Sequence, residues 1–155
     1  MRQNRSNEPA VQWPRAQGLG VERSDAARAY ALRNAGRLGM ADRARIVPGV
    51  WAEGIDERFD LVLCNPPYVA TSDDIPDEVL LYEPAEALFG GPDGLDAYRV
   101  IAPELPRLIA QGGAAVIEIG WTQGEAVSAL LQAVGLNTVL RRDLGDRPRC
   151  IVATP

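Results

Sequence analysis

The apolar run Phe59-Asp60-Leu61-Val62-Leu63-Cys64 passes without a break into Asn65-Pro66-Pro67-Tyr68, and this junction limits the fold more than any other stretch of the chain. A short, near-continuous apolar run ended by turn residues reads as a buried strand. Prolines have no N–H and hold φ at about −65°, so the diproline stiffens the backbone just past the strand. In open α/β sheets ligands collect in the crevice beyond the carboxyl ends of the strands. A carboxamide, a rigid diproline and an aromatic ring therefore stand where such a crevice opens.

Each of these residues supplies something that methyl transfer to a planar nitrogen needs. The side-chain oxygen of Asn65 can accept a hydrogen bond from an –NH2 group and orient that nitrogen toward an electrophile. The backbone carbonyls of Asn65 and Pro66, fixed by the prolines, can act as further acceptors. Tyr68 offers a flat face to pack on a planar amide or base.

The rest of the chain alternates strands with helices. Leu19-Gly20-Val21 reads as a strand ending at Glu22, and Ser24 stands at a helix N-cap before an Ala-rich run from Asp25 to Leu38, closed by Gly39. A strand over residues 44–47 and the strand over 59–64 follow, then a polar, acidic loop from Thr71 to Glu86. Loops longer than about 12–15 residues are usually functional or disordered. This one follows the diproline directly and is expected to face a substrate. A helical stripe over residues 95–110 contains Pro103 and Pro106, which predict a kink or a late start, and Gln111-Gly112-Gly113 is expected to end it. A strand over 114–119 and an amphipathic helix carrying Val127, Leu130, Leu131 and Val134 come next. Strands over 138–141 and 150–153 flank a polar turn and predict a terminal antiparallel hairpin on a mostly parallel α/β sheet.

Composition narrows the chemistry. The 155 residues are ordinary for one folded domain, at 46% hydrophobic and 24% charged. With no histidine, His-based triads, imidazole bases and His-ligated zinc are excluded. Cys64 and Cys150 both fall in predicted strands and read as small core hydrophobes, which together with a polar segment from Met1 to Ala10 fits a cytoplasmic protein. No apolar run approaches the ~20 residues of a spanning helix. A net charge of −5 gives no general footprint for nucleic-acid phosphates.

At this point the chain resembles the HemK-type protein-(glutamine-N5) methyltransferases, S-adenosylmethionine-dependent enzymes that modify the Gly-Gly-Gln motif of peptide chain release factors. The resemblance runs from about Trp13 to Ala153. It rests on Gly20-Val21-Glu22-Arg23-Ser24, Asn34-Ala35 with Leu38-Gly39, Trp51, Phe59 to Tyr68, Glu83-Pro84, Asp93-Gly94-Leu95, Glu118-Ile119-Gly120-Trp121 with Gln123-Gly124-Glu125-Ala126, and Arg142-Asp143-Leu144-Gly145-Asp146. It implies a Rossmann-like class I methyltransferase fold. It also implies that Glu22 hydrogen-bonds the cofactor ribose, that Trp51 lies against the adenine, and that Asn65 meets both the cofactor's methionine end and the substrate glutamine. Pro66, Pro67 and Tyr68 would complete the substrate clamp, with Asn65, Pro66 and Tyr68 serving catalysis. The implied reaction is direct displacement at the sulfonium methyl by the glutamine nitrogen, promoted by orientation and by acceptors aimed at the growing positive charge. Glu118 reads as a satisfied strand acid outside the site.

The chain departs from that family at its start. Residues 1–12 contain no glycine, where the family has a strand and a Gly-rich loop around the cofactor's methionine portion. The family's preceding helical domain is absent too, and Val50 stands where many relatives have an acid. Residues 1–12 are expected to be disordered and 13–155 to form a partial catalytic domain. Loss of a middle strand strands hydrogen-bonding edges and exposes apolar faces. Two other readings compete: a protein-binding remnant without catalysis, and an adenine-N6 nucleic-acid methyltransferase, which shares the tetrapeptide but not the acidic charge or the surroundings of Asp93 and Gly120. The departures predict that these 155 residues alone bind S-adenosylmethionine weakly or not at all; calorimetric titration should show no micromolar binding, and a micromolar isotherm would contradict the expectation.

Overall fold

The computed structural model describes residues 13–82 and 84–155. The disorder expected of residues 1–12 and the family-matched Glu83 lie outside the described residues. The chain divides into two compact units, Met1–Ile55 and Asp56–Pro155.

In the first unit β1 (Gly18–Glu22) pairs in parallel with β2 (Ala44–Pro48), with Glu22 opposite Pro48, and α1 (Asp25–Arg37) connects them. Ser24 caps α1 as its sequence predicts: the side-chain oxygen accepts from the Ala27 N–H, satisfying one of the donors a helix start leaves open. The helix buries Ala31 and Ala35, one turn apart, and Ala35 clusters with Met40 and Ala44. Gly39 ends the helix segment in the left-handed region, at φ 65°, which glycine adopts without a Cβ clash.

The second unit holds a four-stranded sheet in the order β3 (Phe59–Cys64), β4 (Ile109–Glu118), β6 (Pro148–Thr154), β5 (Asn137–Arg142). β3 and β4 are parallel, and β6 runs antiparallel to both β4 and β5. The predicted hairpin is therefore present, with β6 inserted between β4 and β5. Between β3 and β4 lie the short helices α2 (Asp77–Tyr82), α3 (Ala85–Leu88) and α4 (Asp96–Ile101), a 3₁₀ turn (Ala102–Glu104) and α5 (Leu105–Leu108). α6 (Gly124–Ala133) joins β4 to β5 and buries Val127 and Leu131. Alternate residues of β4, Ala115 and Ile117, are almost fully buried, as are Ile151 and Ala153 of β6 and Tyr98 and Leu105 of the connecting helices. Among the described residues no helix is long and apolar enough to cross a membrane.

Three sequence expectations need correction. The acidic loop from Thr71 to Glu86 contains α2 and reaches into α3, helices too short for apolar periodicity to announce. The stripe over 95–110 breaks at Ala102–Glu104 as Pro103 predicts, but it ends at Leu108, ahead of the glycines expected to close it. Gln111-Gly112-Gly113 lies inside β4, where the register shifts between Phe59 opposite Ile109 and Leu61 opposite Ala114, and Gly112 takes φ 78°. Lastly, β3 is not buried: Leu61 is 39% and Leu63 50% exposed. β3 has a neighbour on one edge only among the described residues, and so does β1.

Candidate active site

The parallel register of β3 and β4 sets the site. Cys64 lies opposite Ile117, so Asn65-Pro66-Pro67-Tyr68 and Glu118-Ile119-Gly120 leave the sheet side by side at its carboxyl edge. Asn65 is exposed, and its carboxamide has no partner among the described residues; Pro66 beneath it is buried. A carboxamide with its donors and acceptor unspent can bind a ligand amide.

Tyr68, in contrast, is held at both ends. Its hydroxyl donates toward Glu118 Oε1 at 3.4 Å, and its carbonyl accepts from Gln123 Nε2 at 2.9 Å. Glu118 is thus satisfied, as expected of a strand acid. Its carboxylate also faces Arg149 at 4.0 Å, and its carbonyl accepts from the Tyr98 hydroxyl at 2.9 Å. Burial, with smaller contributions from Cys64, Tyr68 and Glu118, pushes the Tyr98 phenol above its ordinary range, so it stays protonated and keeps donating. Burial likewise pushes the Cys64 thiol up to about 12, leaving it an inert packing group.

The chain beyond Tyr68 is laced to the turn at 88–91. The Val69 N–H donates to Leu88 O at 2.9 Å, Gly90 N–H to Val69 O at 2.9 Å and Thr71 N–H to Gly91 O at 3.0 Å. The excursion carrying α2 and α3 thus leaves and returns at one closed base. Glycine is required there: a Cβ on Gly90 would stand 2.6 Å from Pro67 O, and one on Gly94, at φ 72°, 2.4 Å from Tyr68 O. Gly94 is followed by the N–H of Leu95 donating to Asp93 Oδ1 at 3.1 Å, and Arg99 donates to both Asp93 oxygens.

The remaining predicted residues belong to the first unit. Glu22 ends β1, and its Oε1 accepts from the Ser24 N–H at 2.8 Å. Trp51, half-buried, follows β2 in the left-handed region at φ 53°. That conformation is strained for a bulky side chain and is typical of residues held for a task. Since Glu22 pairs with Pro48, Glu22 and Trp51 lie toward the same end of the two-stranded sheet. Sequence reasoning missed Gln123 and the role of Glu118; the spacing Gly120 to Gln123, just past a strand, was the available signal.

No protein-family model matches the chain. Among curated proteins it is 43% identical over 143 residues to a release factor glutamine methyltransferase of Caulobacter vibrioides, covering 90% of this chain and 50% of that protein. One of the same name from Rhodospirillum rubrum is 40% identical over 143 residues, covering 90% of this chain and 44% of the relative. The chain is a relative of the release factor glutamine methyltransferases. It spans about half the length of the curated relatives it matches. Among solved structures, a methyltransferase from Pyrococcus furiosus superposes with a TM-score of 0.71 at 16% identity, covering 94% of this chain and 66% of that one. A ribosomal protein L11 methylase from Lactobacillus delbrueckii superposes with a TM-score of 0.65 at 16% identity, covering 96% and 64%. The fold is therefore the class I methyltransferase fold, as its sequence implied.

The Asp93–Arg99 pair at the base of the excursion gives a pH signature. Hydrogen bonds from Arg99 hold the Asp93 carboxyl down at about 2, against an ordinary 3.8. A lowered carboxyl contributes stability above its unfolded value and loses it as pH falls through the folded one. Between pH 3.8 and about 2 the thermal midpoint of the wild type should fall more steeply than that of Asp93→Asn, as followed by circular dichroism; parallel curves would contradict the pairing.

Proposed function

We propose that this protein transfers a methyl group from S-adenosylmethionine to the side-chain amide nitrogen of the glutamine in the Gly-Gly-Gln motif of a release factor. The observation that carries this reading is a carboxamide without a partner among the described residues, Asn65, exposed at the carboxyl end of a class I methyltransferase strand beside a buried proline, in a chain 43% identical over 143 residues to a protein of that name.

The residues of the first unit fit an adenosine group. Glu22 keeps one carboxylate oxygen for a ribose diol, and Trp51 offers a half-exposed ring at the same sheet end. When bound, the cofactor supplies an electrophilic methyl carbon on a sulfonium. The chain's own contribution is orientation. Asn65 Oδ1 and the Pro66 carbonyl accept the two N–H groups of the glutamine amide, and this leaves the nitrogen lone pair facing out of the clamp. An amide nitrogen is a weak nucleophile because its lone pair is delocalised, so orientation is where rate is gained. Holding reactants in attack geometry lowers barriers by roughly 7–11 kcal/mol in favourable cases. The same two acceptors stabilise positive charge as it grows on nitrogen. Tyr68, fixed at hydroxyl and carbonyl, presents its ring as the wall of the clamp. As the nitrogen–carbon bond forms and the sulfur–carbon bond breaks, the nitrogen gives up one proton to solvent, since the chain has no histidine to take it.

The test is transfer of labelled methyl to a release factor, with double-stranded DNA as the second substrate, at millimolar cofactor. Label should appear on the release factor glutamine, and Asn65→Ala should lower the initial rate about 10²-fold or more, the scale of a lost charge-stabilising group. Label on DNA, or an Asn65→Ala variant as fast as the wild type, would overturn the reading.

A further inference from the structure

We propose that Gln123 is a positioning residue for methyl transfer: it fixes the turn that presents Asn65, without touching substrate itself. This rests on the function proposed above and adds a residue that acts through Tyr68.

The Gln123 carboxamide is spent on the protein at both its atoms. Its Oε1 accepts from the Gly120 N–H at 2.9 Å and lies 3.5 Å from the Tyr98 hydroxyl; its Nε2 donates to Tyr68 O at 2.9 Å and to Gly94 O at 3.2 Å. A primary amide has two donor hydrogens, so no donor is left for a ligand. The orientation of the group is forced as well. A backbone N–H only donates and a backbone carbonyl only accepts, so the flipped carboxamide would set oxygen against two oxygens.

The surroundings are cleared for this one side chain. A Cβ on Gly120 would stand 2.8 Å from Gln123 Oε1, and one on Gly94 would stand 2.6 Å from Gln123 Nε2. Gln123 itself is set by the turn that starts α6, where its N–H donates to Gly120 O at 2.9 Å and its carbonyl accepts from Val127 at 3.0 Å.

The grip reaches Asn65 through a stiffened backbone. Pro66 and Pro67 have fixed φ, so the path from the Tyr68 carbonyl to the Asn65 backbone has fewer free torsions than an ordinary segment of that length. On the other side, Cys64 is locked opposite Ile117 in the β3–β4 ladder. Asn65 is thus bracketed by strand register before it and by Gln123 after it. A small misplacement of a substrate-orienting group is enough to cost about 10²-fold in rate.

The experiment compares wild type with Gln123→Met, which keeps the volume and loses every side-chain hydrogen bond, and with Gln123→Glu, which keeps the acceptor for Gly120 and loses the donors. Each is made in the full 155-residue chain. Two readouts are taken: initial rates of methyl transfer to release factor at varied cofactor, and the backbone and side-chain amide signals of Asn65 in ¹⁵N spectra. For both variants kcat should fall about tenfold to a hundredfold. The Asn65 signals should shift or broaden in both variants. A variant with kcat within twofold of wild type, or with lowered kcat and unmoved Asn65 signals, would overturn the proposal. If Gln123→Met loses its far-UV circular dichroism, Gln123→Glu decides. If the wild type labels no release factor, the proposed function falls, and the Asn65 signals alone decide this inference: displacement supports it and constancy overturns it.

Discussion

The parallel ladder between β3 and β4 is the constraint on which the candidate active site depends. With Cys64 opposite Ile117, the residues that follow each strand emerge together. A slip of one residue would turn every side chain of β3 to the other face of the sheet. It would carry Asn65 and Tyr68 away from Glu118 and Gln123. Parallel strands require a long crossover, and here that crossover does a second job: its turn at 88–95 returns to brace the chain just after Tyr68.

That brace depends on backbone approaching backbone. Gly90 and Gly94 let the Pro67 and Tyr68 carbonyls come closer than any Cβ would permit, and Gln123 then ties Tyr68 to Gly94 through one amide group. The result is a turn with its polar groups spent on structure at Tyr68 and unspent at Asn65. Such a division is how a fold pre-orders a binding group: the supporting hydrogen bonds are satisfied internally, so the exposed carboxamide is held ready at little further entropic cost. Arg149 links this cluster to the hairpin, because it lies by Glu118 and also pairs with Asp143, whose carboxylate accepts from Gly145 and Arg147 N–H groups in the turn.

Much of this was legible in the sequence where local chemistry decides. The Ser24 cap, the limits of β3, the break beside Pro103 and the closing hairpin all follow from capping, apolar runs and proline geometry. The exposure of Leu61 and Leu63 was not, because an apolar run says that a strand can be buried and not that neighbours exist on both edges. Nor did Gln111-Gly112-Gly113 reveal itself as part of a strand, since glycines end helices and bend strands alike. In the site, Asn65 to Tyr68 stood out because prolines and a carboxamide are conspicuous together. Gln123 and Glu118 did not: their partners lie 55 and 50 residues away, and a contact at that separation exists only once the sheet is formed.

The central claim is that a glutamine amide is gripped by the acceptors of Asn65 and Pro66. A crystal structure of the protein with a Gly-Gly-Gln peptide tests it most directly. The account predicts the glutamine side-chain nitrogen within hydrogen-bonding distance of both Asn65 Oδ1 and the Pro66 carbonyl, with the Tyr68 ring alongside. A peptide seated elsewhere, or a glutamine whose nitrogen faces away from both oxygens, would contradict it.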